Sequence, residues 1–348
     1  MNVDGKLTKW ADTPTASYSR CMRAIHVTAT GGPEGLKAVE VPEPEVARGT
    51  LRVRNRAVGI NFHDIQTRRR GARGVAHPFI LGTDIAGEVD AVGEGVEGFA
   101  EGDRVLGITV GGGYAEKSLV AAVLTVRIPE QISYEQAAAC PLPGLTSCFM
   151  IRDHGVGEAT NVVVHAAAGS VGCFLGGLLA QKRAPSIGLV STDEKAEVAR
   201  RAGYLHVINY RREDPVEQVR QITASAGADV VYDSVAGPGF ARSFEMCRAG
   251  GTVVLFGRAA GNPPREVLDD AFLGGARNLG LRTYFLGTIL FSDPQSIRGA
   301  YATLFDGLSS GTIFLPIETL PLKHAADAHA RIESQQTTGK IVLLPSTD

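Results

Sequence analysis

The run Val162-Val-Val-His-Ala-Ala-Ala-Gly-Ser-Val-Gly172 decides how the rest of the chain is read. Three β-branched residues make a short apolar strand, and Ala167-x-Gly169-x-x-Gly172 leads from it into an amphipathic stretch, VGCFLGGLLAQK. This is a dinucleotide fingerprint with alanine in the first glycine position. Small residues permit the tight turn and let N–H groups at the helix start approach a pyrophosphate. A glycine-rich turn alone is weak evidence, so its flanks carry the weight. Downstream, SIGLVS, HVINY, DVVYDSV, TVVLFG and LGLRTYFL are continuous apolar runs, as strands covered on both faces are. Helical patterns such as EKAEVARRAG and PVEQVRQITASAG separate several of them. The alternation predicts right-handed crossovers and a parallel, doubly wound α/β sheet.

Upstream, from Met22 to about Val126, the rhythm differs. RAIHVTA, LRVRNRAVGI, AGEVDAVG and DRVLGIT are short alternating runs broken by Gly and Pro, the pattern of a β-rich, barrel-like domain. After about Leu290 come a helix, a strand-like IETLPL, a second helix and a final strand, KIVLLP, too little for a domain and expected to complete the first one. We therefore expect an extension at 1–21, a β-rich domain at 22–143 and 291–348, and a dinucleotide domain at 144–290. A length of 348 residues accommodates both units.

The net charge of -2 gives no global attraction to nucleic acid or an anionic membrane, so neither is expected as a partner. No apolar leader or spanning segment is visible, and a cytoplasmic protein is expected. The five cysteines are odd in number and scattered without a CxxC pair, which argues against a disulfide framework and a structural zinc site.

Cofactor choice turns on the end of the second strand, Ser191-Thr192-Asp193-Glu194-Lys195. Asp193 stands near the position where an acid accepts ribose hydroxyls, which favours NAD. It lies past the strand end, however, where Ser, Thr or Asp caps a helix. Ser191, Thr192 and Lys195 instead offer two hydroxyls and an ammonium to a 2′-phosphate, and NADPH is the preferred reading.

At this point the chain resembles a known family, the zinc-independent medium-chain dehydrogenase/reductases, in particular their quinone oxidoreductase and zeta-crystallin branch. The matching motifs are GINFHDIQTR (59–68), LGTDIAGEVDAVGEGVEGFAEGDRV (81–105), GGYAE, AAACPLPGLTS, HAAAGSVG, STDEKAEVARRAG, VINYRRED, ADVVYDSVAG, GGTVVLFGRAAG and TTGKIVL. They span nearly everything after residue 22 in the family's order. The resemblance implies a GroES-like catalytic domain in two segments around a Rossmann domain, NADPH as cofactor, and a homodimer that pairs through a last edge strand, here LGLRTYFL. It implies that Lys195 and Tyr210 contact the 2′-phosphate, that Ala168, Gly169, Ser170, Val171, Phe256 and Gly257 lie along the cofactor, and that Asn61 lines its nicotinamide end.

Zinc enzymes of the same superfamily hold a catalytic metal at slots that here read Asn61, Thr83 followed by Asp84, and about Leu142. Leucine is no ligand, and asparagine and threonine are poor ones for zinc, so no metal is expected. An isolated ketone without a metal accepts hydride poorly. A quinone or enone is easier, because the electrons delocalise onto an oxygen that hydrogen-bond donors stabilise. Asn61 is a candidate donor, and His63 a candidate proton donor or a locally bonded histidine. Gln66 stands where relatives carry a tyrosine, while Arg68, Arg69, Arg70 and Arg73 either clamp an acidic substrate or form a solvated loop; Gln66, Arg68 and Arg70 are the substrate candidates. Arg258, in the FGxxxG turn, is placed to contact cofactor or substrate. The leading expectation is NADPH-dependent reduction of a conjugated carbonyl, a quinone or enone. Alternatives are an enoyl reductase of polyketide-type metabolism and a non-catalytic NADPH-binding protein.

Overall fold

The computed structural model describes residues 20–72, 74–109, 111–267 and 277–345. The expected extension lies almost wholly outside them, as does Arg73.

Period-two alternation builds the first domain. β1 (Cys21–Val27), β2 (Leu36–Pro42) and the short β4 (Phe79–Ile80) form a three-stranded antiparallel sheet. In β3 (Thr50–Gly59), Leu51 and Val53 are fully buried while Arg54 is exposed. This strand is central to a larger sheet with β5 (Asp84–Val92), β6 (Arg104–Ile108), β7 (Lys117–Ala121) and β8 (Thr125–Arg127). The tail completes that sheet with β15 (Ile317–Pro321) and β16 (Lys340–Leu344), in the order β15-β16-β3-β5-β6-β8, with β7 also paired to β3. β16 runs antiparallel to β3 and sets Val342 opposite Gly59. That register brings Lys340 to the start of α1 (Phe62–Arg70).

The second domain is the doubly wound sheet. β9 (Val162–Val164), β10 (Ser186–Val190), β11 (His206–Asn209), β12 (Ala228–Asp233), β13 (Cys247–Leu255) and β14 (Gly280–Thr283) are parallel, in the order β11-β10-β9-β12-β13-β14. Every residue of β9 and β10 is buried, as continuous apolar runs require. The chain leaves β9 toward β10 on one side and β12 on the other, and such switch points open a ligand crevice beyond the strands' carboxyl ends. α4 (Ser170–Gln181), α5 (Asp193–Arg201), α6 (Pro215–Ile222) and α7 (Ala241–Met246) supply the crossovers.

The boundaries expected at 143/144 and 290/291 both fall inside helices, α3 (Pro141–Asp153) and α8 (Leu286–Ser292). The reason is packing: α3 follows α2 (Tyr134–Ala139), rests on α4, and meets α9 (Ile297–Ser310), where Gly144 leaves room for Leu304. One apolar cluster runs from Ala57 and Leu106 through Leu145 and Phe149 to Val162 and Phe174, so this junction is core, not linker. α10 (Ala325–Glu333) precedes the final strand and packs near α1. Among the described residues no helix is long and apolar enough to cross a membrane.

Candidate functional site

The glycine turn follows the carboxyl end of β9, where the ligand crevice of a doubly wound sheet is expected. Gly169 is the N-cap of α4 and supplies no side-chain acceptor, so the first N–H groups of that helix are not capped from within. A Cβ on Gly172 would lie 2.5 Å from the carbonyl oxygens of both Ala166 and Ala167, so only glycine fits there. Phe256 and Gly257 follow β13 on the same rim; the Phe256 N–H binds Asp233 O at 3.0 Å, and a Cβ on Gly257 would meet Ser234 O at 2.6 Å. Arg258 is exposed and donates to Asn262 Oδ1 at 3.0 Å. Such a cradle, with uncapped amides and no room for side chains, fits a pyrophosphate.

At the end of β10, Ser191 is buried and Thr192 caps α5 by accepting from the Lys195 N–H at 3.2 Å. Asp193 is already committed: it accepts from Asn209 Nδ2 at 3.0 Å and pairs with Arg212 at 2.6 Å. Lys195 Nζ donates to Gln335 O at 2.7 Å, and its pKa is lowered by burial and by the charge of Arg211. Among the described residues no carboxylate pairs with Lys195 or Arg211, and Tyr210 beside them is exposed. Two uncompensated cations, hydroxyls and a phenol suit a dianion better than they suit a ribose hydroxyl.

A second group of candidate residues gathers at the start of α1 and beside β16. Asn61, nearly fully buried, is the N-cap, and its N–H binds Asp64 Oδ2 at 2.8 Å. Its Nδ2 donates to Asp84 Oδ2 at 2.8 Å and to Thr83 Oγ1 at 3.2 Å, while its Oδ1 accepts from Lys340 Nζ at 2.5 Å. Asn61 is thus the hub of a buried cluster, and both amide hydrogens are engaged within it. The expectation of a free donor for substrate is corrected accordingly. Leu142 N donates to Asp84 at 3.2 Å, so the three superfamily metal slots do converge here, around an ammonium.

Helical phase sorts the remaining candidates. His63, Gln66 and Arg70 recur at i, i+3 and i+7 on the accessible face of α1. Burial pulls the His63 imidazole below its usual pKa, opposed by the nearby charge of Asp84. Asp64, Ile65 and Arg68 face inward. Arg68 is fully buried and paired with Glu333 of α10, which also holds Arg69 at 2.7 Å. Its expected role as a substrate residue is therefore corrected: its side chain is buried and ties two helices together. Sequence reasoning also missed Lys340 and Gln335. A lysine opening an otherwise apolar strand, KIVLLP, was the available signal.

Beneath the cluster, Tyr114 Oη lies 3.3 Å from Asp64 Oδ2 and 2.9 Å from His329 Nε2. Burial pushes Asp64 up to about 7, against the hydrogen bond from Asn61, and holds His329 down at about 3. A carboxyl raised on folding is stabilising below its unfolded pKa and loses that contribution as pH rises through the folded value. Wild-type stability minus that of Asp64→Asn should thus fall by about 4 kcal/mol between roughly pH 4 and pH 8. Urea melts across that range check this, and a flat difference would rule out a folding-linked carboxyl.

Residues 47–130 match the alcohol dehydrogenase GroES-like domain, and residues 202–343 match the zinc-binding dehydrogenase domain. The chain is 34% identical over 328 residues to a 2-haloacrylate reductase of a Burkholderia species, covering 90% of this chain and 96% of that one. It is 36% identical over 330 residues to quinone oxidoreductase 1 of Escherichia coli strain K12, covering 90% and 97%. The crystal structure of an E. coli quinone oxidoreductase complexed with NADPH superposes with a TM-score of 0.88 at 34% identity, covering 93% of this chain and all of that one. The cradle, the two-segment β-rich domain and these likenesses agree: the chain belongs to the quinone oxidoreductase family of zinc-independent medium-chain dehydrogenase/reductases.

Proposed function

We propose that this protein is an NADPH-dependent, metal-independent reductase of conjugated carbonyls, quinones or enones. One observation carries the reading. The segment from Gln335 to Lys340 touches the cationic pocket through Lys195, the glycine turn through Gly339 N to Ala168 O at 2.8 Å, and the buried polar cluster through Lys340. A dinucleotide laid along the rim would run from Lys195, Tyr210 and Arg211, past Gly169, Ser170 and Val171, toward Asn61. When bound, NADPH supplies hydride. The protein holds that cofactor, orients the acceptor over the cluster and excludes water. Metal independence follows from the donor set: Asn61, Thr83 and Leu142 are poor ligands, and the Lys340 ammonium among them would repel a divalent cation.

His63 is assigned as the proton donor, being the titratable group on the accessible face of α1. Its depressed pKa places an inflection in kcat/KM below its usual value, with activity falling as pH rises through it. His63→Gln should remove that limb and lower kcat by about ten-fold; an unchanged profile would return the proton to solvent.

Arg70, beside Gln66 and His63, supports a second reading, a conjugated carboxylate or acyl thioester as acceptor. NADPH oxidation over quinones, enones, unsaturated acids and enoyl thioesters separates the readings, and binding without turnover would favour a non-catalytic protein. We further propose a cytoplasmic homodimer, supported by the edge position of β14 and the exposed Leu281 and Phe285.

A further inference from the structure

The buried cluster behind Asn61 holds a charge to which no step of the reduction has yet been assigned. Lys340 is 2% exposed, with its Nζ 2.5 Å from Asn61 Oδ1 and 3.2 Å from Asp84 Oδ2. Burying an ammonium is costly and needs a close counter-charge. Asp84, however, has other partners: Asn61 Nδ2 at 2.8 Å, the Leu142 N–H at 3.2 Å and Thr83 Oγ1 at 3.2 Å all donate to it. Those neutral donors are enough to hold a carboxylate, so the lysine is more than its balance. The backbone also makes room for it. A Cβ on Gly59 would lie 2.9 Å from Lys340 Cε and 2.2 Å from Ala138 O. The residue before it, Gly339, is bound to the dinucleotide turn, which fixes the ammonium relative to the cofactor cradle. Finally, a donor-only neighbour at Oδ1 settles which way the Asn61 amide points.

We propose that Lys340 is a positioning residue whose ammonium, held by Asn61 and Asp84, is the fixed positive charge toward which the acceptor's oxygen is oriented. This rests on the conjugated-carbonyl reading. Hydride adds to the far carbon of the conjugated system and the π electrons move to the carbonyl oxygen, which then takes a proton from His63 or water. The acceptor is reduced by two electrons and NADPH is oxidised by two. A preorganised charge in a dry site favours the oxyanion stage over the neutral substrate.

The test compares full-length wild type with Lys340→Met and with Asp84→Asn/Lys340→Met, the double variant removing the lysine charge without stranding a carboxylate. Both variants should show kcat about ten-fold or more below wild type and an NADPH KM within about two-fold, and the double variant should have a Tm no lower than that of Lys340→Met. A readout without turnover uses p-nitrophenol as a mimic of the oxyanion product. Titrated by absorbance in each protein, bound p-nitrophenol should ionise about one pH unit higher when the lysine is gone. If either kcat or the phenol titration of the double variant equals that of wild type, the lysine only balances Asp84 and the proposal is overturned. Should Lys340→Met fail to fold, the double variant alone is compared with wild type. Wild type inactive toward every conjugated acceptor would instead defeat the functional reading, and the phenol titration would still decide the lysine's role.

Discussion

Gly172→Ala is expected to abolish measurable NADPH binding and to destabilise the protein by about 3 kcal/mol. The added carbon would stand 2.5 Å from two backbone carbonyl oxygens and 2.6 Å from the Ala167 carbonyl carbon. No rotamer change relieves a clash with backbone, so the turn must open, and the turn is what presents the α4 amides to a pyrophosphate. Gly169→Ala is the matched control for the fold. Its Cβ would meet only Ala166 O, at 3.3 Å, and its φ of -81° suits any residue, so Tm should change little. Thermal melts with fluorescence titration of NADPH check both variants. A Gly172→Ala protein with wild-type Tm and affinity would contradict the packing account of this turn.

Lys195→Ala should raise the KM for NADPH by about thirty-fold and that for NADH by less than about two-fold, the loss of a charge-assisted contact to one phosphate. The comparison is informative because Lys195 also binds Gln335 O. Loss of that contact loosens the segment before Lys340 and affects both cofactors alike, so only the ratio of the two KM changes reports the 2′-phosphate. Equal changes would assign Lys195 to the loop and reopen the case for Asp193 and NAD. The Arg212 pair argues against that outcome, since it occupies the carboxylate that ribose hydroxyls would need.

Features with a local period were legible in the sequence. The buried runs of β9 and β10, the alternation of β3 and the glycine turn each announce themselves within a few residues. Arg68 was legible in principle, because it is in helical phase with Asp64 and Ile65, yet a cluster of arginines reads first as surface. Asn61 was recognised by motif, but its hydrogen bonds depend on Asp84 and Lys340, far away along the chain. The Lys340 position exists only through the pairing of β16 with β3, a register that no local pattern encodes. The expected boundary at 143/144 falls within a helix for a similar reason: α3 is apolar on most sides and packs into a continuous core, so no local pattern marks a junction there.

The most direct test of the central claim is NADPH oxidation by chelator-treated protein, measured with an enone and with the saturated ketone of the same carbon skeleton. Reduction of an activated double bond at an oxyanion-stabilising site predicts turnover of the enone alone, at a rate that added zinc does not raise. Turnover of the saturated ketone, or activity that appears only when zinc is restored, would contradict it.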